Sequence, residues 1–127
     1  MRAVDTNVLV RLLAHDHASQ VAAAEAFVQP GAWVSHLVLA ETAWVLDAAN
    51  ERTAGEIAVA IERLLNHASL SVQDADVAAA ALAQFKQRPA LGFSDCLVLE
   101  IARKAGHLPL GTFDRGLAKL GDVQRLR

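Results

Sequence analysis

Met1-Arg2-Ala3-Val4-Asp5-Thr6-Asn7-Val8-Leu9-Val10-Arg11-Leu12-Leu13 opens the chain, and its reading decides the fold. Arg2 to Val4 has room for a very short strand that runs into a helix starting near Asn7. Val8, Leu9, Leu12 and Leu13 recur at helical spacing, so that helix has one face to bury. Asp5 then falls where a strand ends and a helix begins. In open α/β sheets ligands bind in the crevice outside the carboxyl ends of the strands. A first strand that belongs to the core, in a region that usually frays, makes its carboxylate conspicuous.

The remaining chain repeats this alternation. His15-Asp16-His17 reads as a polar loop, Ser19 to Val28 as a helix ended by Pro30-Gly31, and Ala32 to Ser35 as a strand. Leu37 to Ala49 is a strongly apolar helix, and Thr53 caps another that runs to about His67. Ser69 to Val72 is a third strand, and Asp74 caps an alanine-rich helix to about Arg88, closed by Pro89 and Gly92. Ser94 is a candidate N-cap for Asp95 to Ala105, with Gly106 in the C′ position. His107 to Thr112, Asp114 to Leu120 and Val123 to Leu126 complete the pattern as strand, short helix and strand. Pro109 suits the start of its strand better than the middle. Short strands alternating with helices predict a parallel α/β sandwich with right-handed crossovers. Residues 1–127 contain no repeat, linker or low-complexity segment, so a single domain is expected.

Composition narrows the class. Hydrophobic residues supply 54% of the chain, which excludes global disorder. Ser35, His36 and Glu41 interrupt the most apolar stretch, so no membrane span is expected. No signal peptide is evident, and the single cysteine, Cys96, rules out an internal disulfide; a cytoplasmic location follows. The net charge of −2 conceals an asymmetry: residues 1–102 hold six Lys/Arg against twelve Asp/Glu, whereas residues 103–127 hold six against two. That basic end reads either as a solvated surface or as a phosphate-contacting patch. Six aromatics and no tyrosine argue against a base-stacking platform.

Four carboxylates stand out. On a helix, Glu41 neighbours Leu37, Val38, Trp44 and Val45, which predicts a largely desolvated carboxylate needing a partner or a metal. Glu100, by contrast, has Arg103 and Lys104 ahead of it and reads as a solvated ion pair, worth roughly 0.3–0.5 kcal/mol. Asp95 and Asp114 each follow a strand or loop at a helix start, where capping alone is a common explanation. Their convergence is the informative feature, because strand ends and helix starts share one edge of a parallel sheet. Two charges about 5 Å apart repel by on the order of 3 kcal/mol at an effective dielectric near 20. Four would need a cation or protons, and all-oxygen ligation selects Mg²⁺ or Mn²⁺. Such an ion activates water and steadies the leaving oxygen of a phosphodiester.

Val4-Asp5-Thr6-Asn7, Leu39-Ala40-Glu41, Phe93-Ser94-Asp95-Cys96-Leu97 and Leu110-Gly111-Thr112-Phe113-Asp114-Arg115 together resemble the PIN-domain nucleases, specifically the VapC-type toxins of toxin–antitoxin pairs. The resemblance implies a three-layer α/β sandwich with a mainly parallel sheet of four to five short strands flanked by helices. It implies a Mg²⁺- or Mn²⁺-dependent endoribonuclease that hydrolyses RNA through a metal-activated water. Asp5, Glu41, Asp95 and Asp114 would be the catalytic and metal-binding acids, with Asn7 and Thr112 as hydrogen-bonding supports. Arg11 and Arg115 are candidate contacts for RNA phosphates. A homodimer is implied, neutralised by an antitoxin whose C-terminal segment reaches the active-site groove. Some members carry a further acid one turn past the third; here those positions are Val98 and Leu99, which favours one tightly held ion. Alanine-rich helices near Trp33 and Trp44 leave apolar surface for dimer and antitoxin contacts.

Other chemistries are less well served. His15 and His17 lack a third metal ligand and read as surface, while His36, His67 and His107 lie at element ends. Cys96 reads as a buried small hydrophobe. No glycine-rich phosphate loop is present. A phosphotransferase using Asp5 as nucleophile would want an acid where Asn7 stands. A non-enzymatic binding module with a structural cation is the remaining alternative.

Overall fold

A computed structural model describes residues 1–127. Strands β1 (Arg2–Ala3), β2 (Ala32–Val34) and β3 (Leu70–Val72) form a parallel sheet in the order β1-β2-β3. β4 (Leu110–Thr112) and β5 (Val123–Arg125) form a second parallel pair. The helices are α1 (Thr6–Ala14), α2 (Ala18–Val28), α3 (His36–Ala48), α4 (Ala54–Leu65), α5 (Ala75–Gln87) and α6 (Phe93–Ala105). This is the α/β architecture predicted from the alternation. The five strands nevertheless fall into two small sheets rather than one. β1 has two residues before the chain turns into α1, and its ladder goes to β2 alone, extended by Val4 N–H donating to the Trp33 carbonyl.

Local signals account for most helix starts. Thr53 and Glu56 form a reciprocal capping box at α4. Ser35 caps α3 by accepting from Val38 N–H, and His17 caps α2 through Nδ1. α6 differs from expectation: it begins at Phe93, its N-cap is Gly92 at φ +80°, and Ser94 lies inside the helix. The helix expected over Asp114 to Leu120 is reduced to a single 3-10 turn, Leu117–Lys119. Asp74 holds the N-cap position of α5 in the left-handed region without a side-chain cap.

The main core joins β2 and β3 to the inner faces of the helices through Val34, Leu70, Leu9, Leu39, Leu46, Ile61 and Leu64. β1 is not the core strand expected: it lies at the sheet edge with Arg2 and Ala3 exposed, and only Val4 after it is buried. A smaller core of Leu99, Leu117 and Leu120 sits beneath β4–β5. α3 packs against both α1 and α6, so the acids on those elements share a neighbourhood. No helix is long and apolar enough to cross a membrane.

Candidate active site

Asp5 follows β1 and is the N-cap of α1, where Oδ1 accepts from Val8 N–H at 3.2 Å. The following residue, Thr6, is buried, and a buried hydroxyl requires a partner. Thr6 Oγ1 donates to Glu41 Oε1, fastening the start of α1 to α3. Thr6 was not legible as a site residue, because a lone threonine at a helix start carries no spacing signal.

The setting of Glu41 corrects the sequence expectation. α3 buries Leu39, Thr42, Ala43 and Leu46, while Leu37 and Trp44 are 77% and 64% exposed. Glu41 lies on that exposed stripe. The helix is apolar on nearly every side, so periodicity could not say which face is inward. Glu100 is reversed in the same way: its side chain is only 11% exposed, paired with Arg103 at 3.1 Å. Lys104 turns instead to Asp74 and Asp76 on α5.

Asp114 is set by its own loop. Its N–H donates to Thr112 Oγ1 at 3.0 Å, and its Oδ1 accepts from Leu117 N–H at 3.0 Å. Gly116 gives this loop its clearance: a Cβ there would meet Leu91 Cδ2 at 3.0 Å and Asp114 Oδ1 at 3.2 Å. Asp95, in the first turn of α6, is half-buried. Burial holds its carboxyl above the usual carboxylate range, and the charge of Asp114 adds to the effect.

The acids are therefore related only in twos: the Asp114 charge acts on Asp95, and Glu41 is bonded to the residue after Asp5. No three acidic, histidine or cysteine side chains stand close enough in this arrangement to hold an ion. The donor chemistry still fits a hard divalent cation, since the candidates offer only carboxylate oxygens and Asp95 lacks a compensating positive charge. Asn7 lines the groove between α1 and α2 and makes no hydrogen bond to the acids. Arg11 borders the same groove and pairs with Asp16 at 2.6 Å, while Arg115 is exposed beside Asp114. Cys96 is fully buried, and burial with the Asp95 charge pushes its thiol up to about 11, so it is no nucleophile.

Asp95 also forms one wall of a cleft of about 290 Å³ between α3, α4, the Pro89–Leu91 turn and the start of α6. Trp44, Asp47 and Ser94 share its lining. Sequence spacing gave no sign of this cleft, because its walls come from four separate segments.

The family model for the PIN domain matches residues 2–123. No individual curated protein and no solved structure gives a significant match. PIN domains are generally a nuclease fold and typically depend on divalent metals. The match runs from the strand before Asp5 to the start of β5, spanning all four acids, and the chain belongs to the PIN-domain family.

Proposed function

We propose that the protein is a Mg²⁺- or Mn²⁺-dependent endoribonuclease, the VapC-type toxin of a toxin–antitoxin pair acting in the cytoplasm. The observation that supports this reading is the PIN-domain match across all four acids, together with a half-buried Asp95 that no positive charge compensates. A bound divalent ion supplies activation of a water and stabilisation of charge on the phosphodiester. Asp95 and Asp114 provide the negative charge that retains it, with Asp5 and Glu41 contributing from α1 and α3. Thr6 orients Glu41 by donating to it, and Thr112 holds the Asp114 loop. Arg115, Lys119, Arg125 and Arg127 are exposed and carry no ion pair, which leaves them free for RNA phosphates. Exposed Val98 and Ile101, one turn apart on α6, suit a homodimer contact. An antitoxin would neutralise the enzyme by placing its C-terminal segment over the acids.

Induced expression in a bacterial host tests this reading. Growth should stop, RNA fragments with 5′ phosphates and 3′ hydroxyls should accumulate, and Asp114→Asn should relieve both. Arrest that persists in Asp114→Asn without RNA fragments would contradict it.

A further inference from the structure

The cleft beside Asp95 contains a carboxylate that the proposed chemistry does not use. Asp47 stands one helical turn beyond Trp44 on α3, and both line the cleft. Asp47 is exposed and makes neither an ion pair nor a side-chain hydrogen bond. Trp44 is 64% exposed and offers an aromatic face at the cleft on which a flat ring can stack.

The lining selects the occupant. Two carboxylates and no lysine or arginine face the cleft, so a phosphate is repelled from it. At about 290 Å³ it lies at the lower limit of small-ligand sites, suited to one flat ring system. Unstacked RNA bases are held by stacking on aromatic side chains and by hydrogen bonds to their Watson–Crick edges. An ionised carboxylate only accepts, and it accepts best from two adjacent donors. Among the four RNA bases, guanine alone presents two adjacent N–H donors on that edge, at N1 and N2. Adenine and cytosine set a donor beside an acceptor, and uracil flanks its single donor with carbonyls.

We propose that this cleft is a guanine subsite, in which Trp44 stacks on the base and Asp47 accepts from its N1–H and N2–H. With Asp95 in the same wall, the bound guanosine adjoins the phosphate to be cut. The subsite thus gives the proposed ribonuclease a base preference, and it rests on that reading for its substrate class.

Binding can be tested without cleavage. In a Trp33→Phe protein Trp44 is the only tryptophan, and its fluorescence is titrated with guanosine, adenosine, cytidine and uridine in EDTA, so that no phosphate is set against the carboxylates. Guanosine should quench it, with the other nucleosides weaker by about tenfold, the discrimination of a good bidentate contact. Asp47→Asn should remove the guanine preference while residual stacking remains. Equal quenching by all four nucleosides, or none by guanosine, would overturn the proposal. Quenching by arginine amide in place of guanosine would also overturn it and assign the cleft to a guanidinium from a protein partner. So would a change of Trp44 emission with protein concentration alone, which would mean that a second copy covers the ring. Because no RNA is cut, guanine binding and nuclease activity stand or fall separately in this experiment.

Discussion

The Asp5 carboxylate caps α1 through Val8 N–H, and the residue after it, Thr6, bonds Glu41. Asparagine caps as well as aspartate does, so the charge can be removed while the cap stays. Asp95 offers a different separation, by pH. Its raised carboxyl means that the folded chain keeps this proton to higher pH than the unfolded chain. The associated stability is present below the ordinary aspartate range and is lost as pH rises through the folded value. Asp95→Asn should therefore stabilise the protein at pH 7 by about 0.5 kcal/mol, the scale of a partly exposed substitution. The gain should vanish near pH 3, where both states hold the proton. Urea denaturation at the two pH values measures this; a loss of stability at pH 7 would mean that Asp95 has a favourable partner instead.

At the scale of elements, Arg103 governs how α6 holds β4–β5. Its guanidinium bonds Glu100 on its own helix, Asp122 before β5, and the Gly121 carbonyl at 2.9 Å. Removing it leaves the nearly buried Glu100 carboxylate without a partner. Arg103→Ala should cost about 2 kcal/mol, with hydrogen exchange of the β4–β5 amides rising before that of β1–β3. Arg103→Lys should recover only part of this, since one ammonium cannot replace a planar fork. Uniform exchange across both sheets would show that the arginine does not anchor the small one.

Elements also show what the sequence can disclose. The Thr53 cap, Leu9 and Leu12 of the α1 stripe and the Gly106 C-cap are local signals, and each is where its spacing predicted. Val10, outside the expected stripe, is buried in α1, while Val8 and Leu13 are only half-buried. The direction faced by α3 is not local: Leu37 and Trp44 are as apolar as Leu39 and Leu46, and only packing against α1 and α6 decides between them. The same holds for Glu100, whose burial depends on a loop more than twenty residues downstream. Asp5, Asp95 and Asp114 were expected to meet on one edge of a single parallel sheet, but β4 lies in a separate sheet from β1 and Asp95 follows a 3-10 turn, so that rule does not by itself bring the three together. The Thr6–Glu41 bond and the cleft beneath Trp44 were not legible, since they join segments with no common periodicity.

Across the whole molecule, charge is uneven along the chain: residues 1–102 are net acidic and residues 103–127 net basic, and Arg115, Lys119, Arg125 and Arg127 carry no ion pair. Exposed cations of that kind suit the polyanionic substrate proposed above. The most direct test of the account is cleavage of a labelled structured RNA by purified wild-type and Asp5→Asn proteins, with and without Mg²⁺ or Mn²⁺. The wild-type protein should cut only with the ion. Asp5→Asn should lose on the order of 100-fold in rate, at least the cost of disturbing a metal's outer shell, with its melting temperature unchanged. Metal-independent cutting, no cutting at all, or undiminished cutting by Asp5→Asn would contradict the account.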